Sequence, residues 1–219
     1  MLRPRLDVLP AAQRDLWPDL AGLPPGFVLY GGTALALRFA HRISEDFDFF
    51  SNQAFAPGEL ERQVPFLAAA VRLQTGPNTL SCRVDRGGPV KVSFFGGLSL
   101  RRIEDPEPAE GNGVLVASPR DLAATKVKVV QDRAEAKDYL DVDQLLASGI
   151  DLTQALAAAR AVYGPTFNPI LSAKALCYFG DGDLPSLPPE VRSRLAAAAG
   201  QVDIARLPEV SPRPGGLLA

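Results

Sequence analysis

Residues 31–50, GGTALALRFAHRISEDFDFF, join three pieces of local structure within a short span. The apolar run Phe27-Val-Leu-Tyr30 just upstream reads as a strand that ends in the turn Gly31-Gly32. Thr33 to Ala40 is made almost entirely of good helix formers. Asp46 to Phe50 then alternates acid with aromatic, and side chains of an extended segment alternate between faces. Asp46 and Asp48 therefore point one way, and Phe47 and Phe49 point the other. Strand, glycine turn, helix and strand in this order predict an α+β chain with a small mixed sheet.

The same stretch carries chemistry. Two carboxylates on one spot repel unless a cation sits between them, and hard oxygen ligands suit Mg²⁺, which combines one or two carboxylates with substrate phosphates. Glycines let the backbone approach a ligand closely, and the first N–H groups of the next helix attract phosphate, with the Thr33 hydroxyl close by. Either feature alone is common, as a plain turn or as a pair of solvated acids. Their succession within so few residues is what points to a triphosphate and its metal.

Working outward, a first helix is expected from Pro10 to Leu20, with Pro18 interrupting it. Pro57 opens a helical stretch broken near Pro65. Thr79 to Val84 and Val90 to Phe95 flank Asp85-Arg-Gly-Gly88 as a hairpin, and Val114 to Val116 adds a short strand after the acidic loop 104–110. From Ser118 onward the pattern is helical, with Gly149 and Gly164 as stops and Asp151 as an N-cap between them. The tail after Asp203, rich in Pro and Gly, reads as a poorly ordered arm or a partner-binding strap.

In the first helix of that half, Ser118-Pro119-Arg-Asp121 is a start signal, and Leu122, Val129 and Val130 supply a buried face. Lys126 falls near the edge of that face, either reaching into a cleft or lying along the surface with its head in water. Asp138 and Asp141 share a face of the following helix, and Lys137 is placed to pair with Asp141, a surface contact worth about 0.3–0.5 kcal/mol.

Two blocks, GGTALALRFAHRISEDFDFF and ASPRDLAATKVKVVQDRAEAKDYLDVDQLL (117–146), resemble the AbiEii/AbiGii-type nucleotidyltransferase toxins, a branch of the polymerase-beta-like nucleotidyltransferases. The stretch from about Gly164 to Val202 is similar to a helical tail in some members. The resemblance implies an enzyme that moves a nucleoside monophosphate from an NTP to an acceptor hydroxyl. Mg²⁺ (or Mn²⁺) is the implied cofactor, tRNA the implied acceptor and a cognate antitoxin the implied partner. It places Gly31, Gly32 and Thr33 on the triphosphate turn, with Arg42 and Ser44 matching nearby. Asp46 and Asp48 fall on the metal-binding acids, Lys126 on a nucleotide-contacting lysine, and Asp138 and Asp141 on the final acidic motif.

One position departs from the pattern. Where the superfamily places a third carboxylate on a later strand, Pro89 to Phe95 offers Ser93, and Asp85 or Asp138 would have to fill in. The expected layout is a nucleotidyltransferase core with the sheet over 1–117, a helical lobe completing the site over 118–203, and a flexible tail over 204–219. The competing readings are a catalytically weak nucleotide- or partner-binding module and a small-molecule nucleotidyltransferase.

The 219 residues, 47% hydrophobic, suffice for a substantial core. A net charge of −2 and a pI near 5.5 exclude an overall basic protein, so a nucleic acid would have to meet a local patch, with Arg83, Arg86, Lys91, Arg101 and Arg102 as candidates. Two cysteines, Cys82 and Cys177, make no disulfide framework, and the lone His41 builds no zinc site with them. His41 and Arg42 read as positive charge at a helix end. With no signal peptide or apolar span in the sequence, a cytoplasmic protein is expected.

Overall fold

The computed structural model of the chain describes residues 1–217. It divides into two compact units: Met1–Leu100, Asp105–Ser118 and the residues from Gly215 form the first, while Arg101–Glu104 and Pro119–Pro214 form the second.

The first unit is a mixed sheet with short helices. After α1 (Ala11–Leu16) the chain tightens into a 3₁₀ turn, Trp17–Gly22, at the point where Pro18 cannot donate to a continuing helix. Then follow β1 (Val28–Tyr30), α2 (Gly31–Phe39), β2 (Asp46–Phe50), α3 (Pro57–Gln63), β3 (Val71–Gly76), β4 (Thr79–Asp85), β5 (Pro89–Phe95), β6 (Glu107–Pro108) and β7 (Leu115–Val116). The seven strands lie in the order β3-β4-β5-β2-β1-β7-β6. β2 runs parallel to β5 and β1 to β7, while the remaining neighbours are antiparallel.

Alternation along β2 buries Phe47 and Phe49 completely and leaves Asp46, Asp48 and Phe50 half-buried. Phe49 stacks on Phe94 at 5.5 Å between ring centroids, and Trp17 meets Phe47 at 6.1 Å, so one sheet face is an aromatic core. The opposite face carries the acids.

β3 had no counterpart in the sequence reading. It is the edge strand, every residue but Gly76 is exposed, and a register shift between Arg72 and Gln74 interrupts its pairing with β4. Gln13, on α1, is 2% exposed, and neither polar atom of its amide meets a hydrogen-bond partner among the described residues. An unsatisfied buried amide costs about 1–3 kcal/mol. Gln13→Met, close in shape, should therefore raise the thermal midpoint by several degrees, and a lower midpoint in calorimetry would contradict the orphaned amide.

The second unit is helical: α4 (Pro119–Asp132), α5 (Ala136–Ala147), α6 (Leu152–Tyr163), α7 (Pro169–Ala175) and α8 (Pro189–Gln201). α4 packs against α5, α6 and α7, which explains why nearly its whole first half is buried. Val127 takes the core position expected of Val129, and Lys126 is inside rather than at an edge. Asp151 caps α6 by accepting from the Gln154 N–H at 2.8 Å, and Gly164 with φ +60° ends that helix.

Over its described length the tail makes specific hydrogen bonds. Arg160 donates to the carbonyls of Leu207 and Pro208, the Arg213 N–H donates to Arg102, and Arg102 donates to Pro214 at 2.7 Å. In the first unit the Leu217 N–H donates to the Asn52 side chain, with Leu217 buried. Polar groups on neighbouring segments accept the strap in a way its Pro/Gly composition does not encode. Positions 218 and 219 of the expected tail lie outside the described residues.

Candidate active site

The first unit brings Gly31, Gly32, Thr33, Arg42, Ser44, Asp46 and Asp48 together. β1 pairs antiparallel with β2 so that Tyr30 lies opposite Asp48, and the chain turns directly from Tyr30 into α2. Gly31 opens that helix with φ +77°, and a Cβ built on it would stand 2.8 Å from the Asp48 carboxylate. Only glycine allows both the left-handed backbone and the close approach. A Cβ on Gly32 would strike the Arg42 guanidinium and the Ser44 hydroxyl. The loop between α2 and β2 thus folds back on the turn, and Arg42 holds it by donating to Ile43 at 2.9 Å.

Thr33 has a different place from the one expected of a phosphate-facing hydroxyl. It is fully buried, and its Oγ1 donates to the Asp46 carbonyl, which ties α2 to β2. It positions the site from within. Helix residues 31–39 still direct their N-terminus, the positive end of the helix dipole, at the region where Asp48 lies.

The parallel neighbour β5 sets Lys91 opposite Asp46 and Ser93 opposite Asp48. The Lys91 ammonium lies 3.0 Å from Asp46 Oδ2, with both side chains a little under half exposed. Ser93 is 1% exposed, and its hydroxyl is bonded to Ser81 at 3.1 Å, so no carboxylate stands on that strand beside Asp48. Asp85 does not fill in: its carboxylate accepts from the Gly87 and Gly88 N–H groups and shapes the hairpin turn. Among the described residues no group of three or more His, Cys, Asp or Glu side chains is placed to hold a metal ion. Sequence reasoning sorted Lys91 with a basic patch. The alternation of PVKVSFF was the signal that could have set it on the face of the acids.

That patch is dispersed. Arg102 is buried, Arg86 pairs with Asp19 at 2.7 Å and Lys91 with Asp46, which leaves Arg83 and Arg101 as its exposed members outside an ion pair among the described residues.

The second unit brings Lys126, Asp138 and Asp141 together. The Lys126 ammonium lies 2.7 Å from each carboxylate, and Arg133 donates to Asp138 at 2.7 Å. Both acids are 0% exposed and Lys126 is 5% exposed. An ammonium expected to neutralise a nucleotide is here bound to two carboxylates of its own unit. Lys137 pairs with Glu135 at 2.7 Å instead of Asp141, because Asp141 faces inward. Asp138 is likewise engaged within its unit, by Lys126 and Arg133. Asp121, expected only as a first-turn acid, is buried and accepts the Ile103 and Glu104 N–H groups.

Burial pushes the Asp138 carboxyl up, but the Arg133 hydrogen bonds and the Lys126 charge outweigh it and hold it below the usual carboxylate range. A carboxyl depressed on folding stabilises the native state above its unfolded pKa, and that contribution is lost as pH falls through the folded value. The helical unit should therefore weaken below about pH 4. In urea titrations at stepped pH, Asp138→Asn should flatten this acid limb; an unchanged slope would remove Asp138 as its source.

The mixed sheet with its glycine-opened helix and Asp-x-Asp strand is shared with solved structures. The fold matches an H. pylori protein described as a candidate nucleotidyltransferase, with TM-score 0.55 and 20% identity over 86% of this chain and 90% of that one. It also matches MenT4, a nucleotidyltransferase toxin of Mycobacterium tuberculosis H37Rv, with TM-score 0.58 and 16% identity over 89% and 87% of the two chains. Residues 15–208 match the family profile "Nucleotidyl transferase AbiEii toxin, Type IV TA system", and the chain belongs to that family. A curated relative, the uncharacterized protein aq_aa25 of Aquifex aeolicus (strain VF5), is 32% identical over 163 residues, 73% of this chain and 77% of its own length. The protein is thus a nucleotidyltransferase of the AbiEii toxin family. No helix among the described residues is long and apolar enough to cross a membrane.

Proposed function

We propose that this enzyme is metal-dependent, transfers a nucleoside monophosphate from an NTP to a hydroxyl of tRNA, and acts as a toxin held in check by a separately encoded antitoxin. The observation that carries the reading is the placing of Asp46 and Asp48 on one strand face, with Asp48 against the glycine turn that opens α2. Two carboxylates beside a helix N-terminus fit a hard divalent ion that completes its shell with substrate phosphates. Asp46 and Asp48 would hold that ion, which supplies Lewis-acid stabilisation of charge on the transferring phosphoryl group.

The chain's own residues do the rest by positioning. The Gly31-Gly32 turn admits phosphate against the backbone, Arg42 and Ser44 line it, and Thr33 fixes the helix to the strand. The acceptor oxygen attacks the α-phosphorus, the bond from that phosphorus to the bridging oxygen breaks, pyrophosphate leaves and the hydroxyl proton passes to solvent. Lys126, Asp138 and Asp141 hold α4 against α5 as an internal ion cluster and act as positioning residues within their unit.

The test is transfer of label from each of the four α-labelled NTPs to a total tRNA pool with Mg²⁺ or Mn²⁺. Label on RNA that is lost with Asp48→Asn supports the reading and names the base. Pyrophosphate release without labelled RNA would move the acceptor to a protein or a small molecule.

A further inference from the structure

On the metal reading above, we propose that the centre takes a single divalent cation and that Lys91 supplies the positive charge a second ion would bring. The sheet register decides it. A centre for two ions needs carboxylates that reach both, yet on the strand beside Asp46 and Asp48 the two facing positions are Lys91 and Ser93. The serine hydroxyl is enclosed and already bonded to Ser81. The lysine reaches one of the two acids directly, at 3.0 Å.

Charge runs the same way. Asp46 and Asp48 carry two negative charges, while one divalent ion with the Lys91 ammonium carries three positive ones, leaving one to face a phosphate. A second divalent ion would raise that surplus to three, while the sheet face still offers it Asp46 and Asp48 to share, the first already engaged by an ammonium. The ammonium is tethered by its backbone register rather than drawn from solution, so this charge is present before any ligand arrives. Neighbouring Arg83, opposite Lys91 on β4 and exposed, adds a further fixed positive charge to the same row of the face.

The experiment is a Mn²⁺ titration followed by electron paramagnetic resonance, on the full chain, with and without a non-hydrolysable NTP analogue. Wild type should bind one Mn²⁺ without nucleotide. Lys91→Met should bind one Mn²⁺ up to about fivefold more tightly, because an exposed ion pair no longer competes for Asp46. Lys91→Met combined with Ser93→Asp should bind two, and transfer by Lys91→Met alone should fall while its Mn²⁺ occupancy stays full.

Two ions on the wild-type chain would overturn the proposal. So would an unchanged Mn²⁺ affinity in Lys91→Met accompanied by weaker analogue binding, which would make Lys91 a triphosphate contact instead. Failure of the metal reading itself looks different: Mn²⁺ binding by wild type would then survive Asp48→Asn.

Discussion

Asp48→Asn should reduce nucleotidyl transfer by three orders of magnitude or more, about 4 kcal/mol of barrier, with the fold intact. The two halves of this expectation come from the two faces of β2. Phe47 and Phe49 anchor the strand in the aromatic core, and the substitution leaves both untouched. Asp48 is only half-buried on the other face, and asparagine keeps its shape against Gly31. What is lost is the anionic oxygen that a divalent ion requires, next to the helix N-terminus where phosphate would lie. The check pairs a label-transfer assay with a thermal melt. A melt within about 2 °C of wild type and no transfer is the expected pair. Retained transfer at an unchanged melt would take the metal away from Asp48. Loss of both would make Asp48 a structural residue whose partners hold β2 in place.

The sheet and the first unit's part of the candidate site were legible because their signals are local. Alternation in DFDFF needs no knowledge of the rest of the chain, and neither does a glycine pair before a run of helix formers. The hairpin of β4 and β5 was legible for the same reason, through Asp85-Arg-Gly-Gly88. What escaped depends on pairing across long stretches. Lys91 meets Asp46 only because β5 inserts parallel to β2, an adjacency that separates the partners by 45 positions. β3 escaped because its alternation, Val71-Arg-Leu-Gln74, is short and follows an alanine run, and the strand stands exposed at the sheet edge instead of contributing to the core. The tail escaped because its ties are to Arg102, Arg160 and Asn52, none of which its own composition encodes.

Lys126 shows the sharper limit, since helical spacing set it correctly near Leu122 but could not say which way its charge would be met. Its two carboxylate partners are three positions apart on α5, so both face α4 only if that helix packs with Asp138 and Asp141 inward, against the usual rule for acids. Lys126→Met should then destabilise the helical unit by about 3–5 kcal/mol, because it removes the ammonium from two fully buried carboxylates. Denaturant unfolding followed by circular dichroism reads this directly. The sign of a second substitution separates the ion cluster from a simple packing defect: Lys126→Met with Asp141→Leu should recover much of the loss, since apolar replacement of a buried ion pair is often neutral. A cavity or clash caused by the methionine would remain in the double variant. Nucleotide affinity supplies the remaining discrimination. If Lys126→Met proves as stable as wild type yet binds NTP weakly, the lysine acts on the nucleotide and the cluster is not what holds α4 to α5.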